Sequence, residues 1–272
     1  MANDSTSPRY TYLTHLLVPA LRVLLGIRSS PSHDAALLLK GAHPAPRVLN
    51  ADNIPPDSPF ILVVNHYDRP GLGAWWGIAP LLCAIATQRA CEPREVHMAM
   101  AREWWYPGGF GRAVKQPFTR WLFGRIAKAY GTITLPPVID EYHGTGALAI
   151  RRSLALTRGD NPQLIGLAPE GRTGHNQTLC EPPVGAGLFL LLLAHDVIPC
   201  LPAGIFEDDA RVLTVNFGTP FYQRVPRHLP REVRDREAAR QVMVAIGRLL
   251  PERMWGVFSQ PVNQAIRQLG TD

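Results

Sequence analysis

Cysteine is scarce in this chain, and its four copies (Cys83, Cys91, Cys180, Cys200) form no C-x-x-C pair. That spacing offers neither a disulfide framework nor a zinc site, so the four read as free, buried thiols in a reducing cytoplasm, with no metal expected. Nothing at the amino end resembles a cleaved signal with a basic start and a small-residue exit. Long apolar runs are missing too. Leu188 to Ala194 is far too short to cross a bilayer and reads as a buried core helix, and the leucine-rich start is interrupted by His15, Pro19 and Arg22. No G-x-S-x-G elbow supports a serine nucleophile. No zinc finger or aromatic RNA-binding signature accompanies the basic residues, so nucleic acid is not the expected partner. Acidic residues are outnumbered, 22 against 28 basic, giving +6 and a pI near 9.4. Phosphate, lipid headgroups and nucleic acid all satisfy that charge taken alone.

What is present is core-forming. Hydrophobic residues make up 46% of 272 positions, enough for one large domain or two modest ones. The 26 prolines run at about twice the usual share of about 5% and predict many breaks between short elements. Near the amino end, Leu13, Leu16, Leu17, Ala20, Leu21 and Leu24 follow helical spacing, with Arg9, Arg22 and Arg28 around them. This segment, 1–30, reads equally as a peripheral membrane helix and as an amphipathic helix packed on its own domain. Residues 29 to 58 form a connector with one short helix, Asp34 to Lys40.

Beyond it, short apolar runs alternate with longer segments. Phe60 to Val64 is charge-free and β-branched, as a strand buried on both faces should be. Further strands are predicted at Val96 to Ala101, Thr132 to Leu135, Gln163 to Ala168, Val197 to Ile205 and Val212 to Phe217. Helices are predicted at Leu72 to Arg89, Ala113 to Tyr130, Gly144 to Arg158, Gly185 to His195 and Arg231 to Leu250. Strand then helix, repeated, argues for a single α/β domain over 31–272 with a largely parallel sheet flanked by helices. The segment Arg102 to Tyr130 holds six basic residues, one acid and eight of the 22 aromatics. Interleaved rings and cations suit a membrane interface, where rings settle at headgroup depth and cations meet phosphate.

Two strand ends carry chemistry. The first runs into Asn65, His66, Tyr67, Asp68, Arg69, Pro70 and Gly71; in open parallel sheets ligands bind beyond the carboxyl ends of strands. Histidine suits a general base near neutral pH, although a turn histidine bonded to nearby backbone accounts for the position equally well. The other strand ends in Pro169, Glu170, Gly171, Arg172, Thr173 and Gly174. If both strands run the same way, His66 and Glu170 share a rim, and Arg172 offers a planar fork for phosphate. Trp75 and Trp76 line an acyl groove or simply pack, and His143 and His175 are read as loop residues outside catalysis.

These residues carry a resemblance. An apolar strand into Asn65-His66, a Pro169-Glu170-Gly171 turn followed by Arg172, the segment Val197 to Pro202, and a closing Leu249-Leu250-Pro251-Glu252 with Gly256 resemble the lysophospholipid and glycerol-phosphate acyltransferase family in order, over about residues 48 to 260. The resemblance implies a fatty acyl transfer from acyl coenzyme A or acyl carrier protein, as co-substrate, to the hydroxyl of a lysophospholipid or glycerol-phosphate-like acceptor. It places His66 as general base and Asn65, Arg69, Glu170, Gly171, Arg172 and Thr173 around the substrate. It implies a membrane lipid as partner, a place at the cytoplasmic membrane face, and neither metal nor bound cofactor. Two positions depart from the family's pattern. The aspartate expected five residues after the histidine is Gly71, which leaves Asp68, or else Glu170, to orient the imidazole. The arginine expected after the Gly131 to Leu135 strand is replaced by Pro136-Pro137, leaving acceptor phosphate to Arg172 or Arg69. The third motif also reads Arg172-Thr173 where threonine then arginine is commoner. A noncatalytic lipid-binding relative is the alternative, and thioester hydrolysis with water as acceptor is a third reading.

Overall fold

The structure, a computed structural model, describes residues 8–12, 14–137, 142, 146–195 and 197–269. Leu13, His143 and the first residues of the helix expected from Gly144 lie outside that set. The strands are β1 (Arg9–Tyr10), β2 (Ala42–His43), β3 (Arg47–Leu49), β4 (Ile61–Val64), β5 (Val96–Ala101), β6 (Ile133–Leu135), β7 (Leu164–Leu167), β8 (Cys200–Glu207) and β9 (Leu213–Phe217). The helices are α1 (Leu17–Leu25), α2 (Pro31–Leu39), α3 (Ala74–Gln88), α4 (Gln116–Tyr130), α5 (Ala147–Thr157), α6 (Ala186–Ala194), α7 (Arg231–Gly247) and α8 (Ser259–Leu269).

Seven strands form one sheet in the order β3-β9-β8-β4-β7-β5-β6. From β8 to β6 every pairing is parallel, while β9 runs against β8 and carries β3 parallel to itself. The largely parallel sheet expected from the alternation is therefore present. β4 and β7 sit at its centre, and all eight of their residues are buried. Two glycines set how closely layers approach: a Cβ at Gly166 in β7 would lie 2.3 Å from Met98 Sδ, and one at Gly187 in α6 would lie 1.9 Å from the Asp235 carbonyl oxygen. Asp235 on α7 in turn caps α6, accepting from the N–H groups of Gly185 at 2.7 Å and Leu188 at 2.9 Å. Pro202 is tolerated in β8 because its carbonyl, and hence its missing N–H, faces the end of the β9 ladder, where it accepts from Gly218 at 2.9 Å.

Several boundaries moved from their predicted places for identifiable reasons. β8 begins at Cys200 because the Val197 and Ile198 N–H groups close a turn onto Ala194. The connector's helix starts earlier, at Pro31, where Ser30 accepts from the His33 N–H at 3.1 Å and proline occupies the first turn. The amino-terminal helix packs along α4, joined by Ser29 N–H to the Ala129 carbonyl at 3.0 Å, and Gly26 ends it in the left-handed conformation. Its buried positions are Pro19 and Val23, whereas Leu17, Leu21 and Leu24 of the leucine stripe point outward. Cys200 alone among the cysteines is fully buried, its thiol pushed up to about 12 by desolvation; Cys91 is exposed. Trp76 is buried against the rings of Tyr10 and Tyr12 at 5.4 Å, while Trp75 is exposed.

Candidate active site

The parallel strands end at one rim. The parallel registers, Val63 beside Leu167 and Met98 beside Gly166, put the carboxyl ends of β4, β7 and β5 on one side of the sheet, with His66, Glu170 and Arg102 just beyond them. Hydrogen bonds continue past the strands: the His66 N–H donates to Glu170 Oε2 at 2.8 Å, tying the ends of β4 and β7, and the Arg102 N–H donates to the Leu135 carbonyl at 2.7 Å, tying β5 to β6.

Each side chain named from the sequence has a definite place. Asn65 is buried, with its amide donating to the Ile205 carbonyl at 2.9 Å and accepting from the Ile205 N–H at 2.7 Å. It fastens the end of β4 to β8 rather than facing the open rim. Glu170 is buried below the rim, where it accepts from the N–H groups of His66 and Cys180, each at 2.8 Å. Burial outweighs those two donors and pushes its carboxyl up to about 7. Arg69 grips Glu207 through Nε and Nη2, both at 2.5 Å, and the Tyr67 hydroxyl donates to the same carboxylate at 2.9 Å. Arg172 is exposed, with no carboxylate in ion-pair range among the described residues, and Gly171 holds a left-handed φ of +66° in the turn that the Gly171 N–H closes onto Ala168.

His66 is half-buried. Its Nδ1 lies 2.7 Å from Thr173 Oγ1 and 4.0 Å from Asp68 Oδ1, and the Thr173 hydroxyl also bonds Asp68 Oδ1. Nε2 has no protein partner among the described residues. Desolvation lowers the imidazole's pKa and Asp68 pulls the other way, so the ring is neutral at pH 7 and able to accept a proton. The structure thus brings His66, Asp68 and Thr173 together, sets Glu170 beneath them, and turns Asn65 and Arg69 toward β8.

The backbone accounts for the missing aspartate. Arg69 and Leu72 exchange N–H···O bonds of 3.0 and 2.9 Å around Pro70-Gly71, a tight turn in which Gly71 takes φ +82°. That conformation favours glycine and disfavours aspartate. Gly71→Asp is therefore expected to lose about 1–2 kcal/mol of stability in urea titrations, because an L side chain is strained at that φ.

Two features escaped the sequence reading. Arg102 donates from Nη2 to Glu103 Oε1 at 3.3 Å and lies over the Tyr142 ring at 5.2 Å, while buried Glu103 is held more closely by Arg120 and Tyr142, each at 2.6 Å. The signal available was a strand running directly into Arg-Glu at the same rim. On the other side, an open pocket of about 570 Å³ lies between Tyr67, Thr178, Glu207, Asp209 and Arg253.

No protein-family profile matches the sequence, and no curated protein matches it. Among solved structures, the chain is similar to the crystal structure of the 1-acyl-sn-glycerophosphate (LPA) acyltransferase from Thermotoga maritima, with 13% identity and a TM-score of 0.41, over 82% of this chain and 77% of that one.

Proposed function

We propose that the chain is an O-acyltransferase that moves a fatty acyl group from an acyl thioester, on coenzyme A or carrier protein, to the hydroxyl of a lysophospholipid or glycerol-phosphate-like acceptor. The observation that carries this reading is His66 itself: a half-buried imidazole just beyond β4, with Nδ1 engaged by Thr173 and Nε2 without a protein partner among the described residues. Nε2 takes the proton as the acceptor oxygen forms its bond to the thioester carbonyl carbon. The C–S bond then breaks and the departing sulfur receives that proton from the imidazolium, leaving a thiol. Arg172, exposed and with no carboxylate in ion-pair range among the described residues, and Arg102, just beyond β5 on the same side of the sheet, are the cations for an acceptor phosphate. Arg69 is tied to Glu207 and contributes less to that task.

The reading places the enzyme peripherally on a membrane. No helix of the described residues is long and apolar enough to cross one. Leu17, Leu21 and Leu25 on α1, and Phe118 and Trp121 on α4, are exposed on two helices that pack together, with Arg22, Lys115 and Arg125 nearby in sequence. Transferring such side chains from water is worth about 1.5–3 kcal/mol each when complete. A Leu21→Glu/Leu25→Glu variant is expected to sediment with anionic phospholipid vesicles at least about tenfold more weakly than wild type. Equal sedimentation would remove this face from the reading.

The test of function is acyl transfer from labelled acyl coenzyme A and acyl carrier protein to a panel of lysolipids, with His66→Ala beside wild type. His66-dependent product supports the transferase. Vesicle binding without turnover on any donor favours the noncatalytic relative, to which the glycine at position 71 points.

A further inference from the structure

We infer that Thr173 is a positioning residue that carries the orienting effect of Asp68 to His66, in place of the direct carboxylate contact that Gly71 forgoes. The inference rests on His66 being the base, as proposed above. Asp68 is too far to act alone: its Oδ1 is 4.0 Å from His66 Nδ1, beyond hydrogen-bond length. Thr173 stands between them, with Oγ1 2.7 Å from Nδ1 and its hydroxyl bonded to Asp68.

The direction of the protons follows from what each group can do. A carboxylate only accepts, and a threonine hydroxyl has one hydrogen to donate. The bond to the charged acceptor is the stronger, so that hydrogen points to Asp68. Oγ1 then offers Nδ1 a lone pair, and Nδ1 must carry the hydrogen of the neutral ring. Nε2 is left bare, as the base requires. The opposite tautomer would turn the Thr173 hydrogen away from Asp68 and place a proton on Nε2. When Nε2 collects the acceptor's proton, the chain Nδ1–H to Oγ1–H to carboxylate is already aligned to stabilise the imidazolium. Thr173 and Asp68 keep their own protonation throughout, and the proton gained at Nε2 leaves with the thiol.

Glu170 cannot substitute for this pair, since both of its oxygens accept backbone N–H groups below the ring. Thr173 is held in reach by its neighbour: a Cβ on Gly174 would lie 2.0 Å from the Thr178 carbonyl oxygen, so the loop closes tightly just after the hydroxyl.

Long-range ¹H–¹⁵N spectra of the full chain near pH 7.5 test the inference, with His66 assigned by its loss in His66→Ala. Wild type is expected to show hydrogen on Nδ1 and a bare Nε2. Thr173→Val, nearly isosteric, and Asp68→Ala, at a half-exposed position, are each expected to move His66 toward the Nε2–H form, whereas Thr173→Ser retains the wild-type tautomer. In the transfer assay Thr173→Val should lower kcat by about 10²-fold with little change in KM, and serine should restore most of the loss. An unchanged tautomer in Thr173→Val and Asp68→Ala overturns the inference, as does a purely KM effect, which would make Thr173 a substrate contact. The spectra read the relay even if wild type transfers no acyl group, and turnover that depends on His66 with an unmoved tautomer defeats the relay alone.

Discussion

His66→Ala is expected to reduce acyl transfer by about 10²- to 10⁴-fold in kcat while leaving the fold in place. The stability half of that expectation comes from the contacts. The imidazole's polar contact is with Thr173 at a partly open rim, and the bonds that fix the backbone here are made by the His66 N–H to Glu170 and by the neighbouring Asn65 side chain, none of which uses the ring. Alanine keeps them all. The catalytic half comes from the proton. An unassisted alcohol is a weak nucleophile at pH 7, and positioned general bases contribute in this range. The wild-type rate should also fall on acidification with a midpoint below the ordinary imidazole value of about 6.5, because burial disfavours the charged ring more than Asp68 favours it. Single-turnover rates from pH 5 to 8 with His66→Ala as baseline would show it. An alanine variant within a few-fold of wild type would remove His66 from the chemistry.

Glu170→Gln should change the pH dependence of stability more than any other single substitution at the site. In the unfolded chain this carboxyl titrates near its ordinary value of about 4.3; in the native state burial holds it to about 7. Between those values the native protein keeps a proton that the unfolded chain has released. Unfolding therefore releases protons, and stability falls as pH rises through that window. The group's contribution is fully present below the unfolded pKa and lost above the folded one. At about 1.4 kcal/mol per unit, wild type should lose about 3 kcal/mol relative to the untitratable glutamine variant between pH 4 and pH 8. Urea titrations at several pH values measure this directly, and parallel curves for the two proteins would refute it. The same substitution should slow turnover, because a glutamine side chain offers one acceptor oxygen where the N–H groups of His66 and Cys180 both need one.

The central strands and the helices between them were legible in the sequence from their apolar runs and their length. Phe60 to Val64 announced β4 because a central parallel strand is covered on both faces, and the helices between strands were legible from length and periodicity. β1 and β2 are two residues long and β3 is exposed throughout, so none of them carries a period to detect. The leucine stripe of α1 was visible, yet hydrophobic spacing does not say which partner a stripe meets; α1 turns Pro19 and Val23 to α4 and its leucines outward. At the site, residue types and rim were readable from strand ends, but pairings were not. Asn65 meets Ile205 and Arg69 meets Glu207, both about 140 residues away in the chain. Thr173 is the instructive case. Gly71 and Thr173 stand about 100 residues apart along the chain, and nothing in their spacing links either to His66. In space Thr173 reaches His66 and Asp68, a contact that spacing along the chain does not announce.

The carboxyl-terminal segment binds back to the loop that carries Thr173. The Leu179 N–H donates to the Met254 carbonyl at 2.8 Å, and a Cβ on Gly256 would lie 2.2 Å from the Leu179 carbonyl oxygen. The site therefore cannot be finished early in synthesis. The sheet strands and His66 emerge from the ribosome well before Met254, so a nascent chain already holding its rim still lacks the strap that seats the hydroxyl beside the imidazole. Closure of the loop after Thr173 in this sense waits on residues 254–256, far along the chain from the rim they complete.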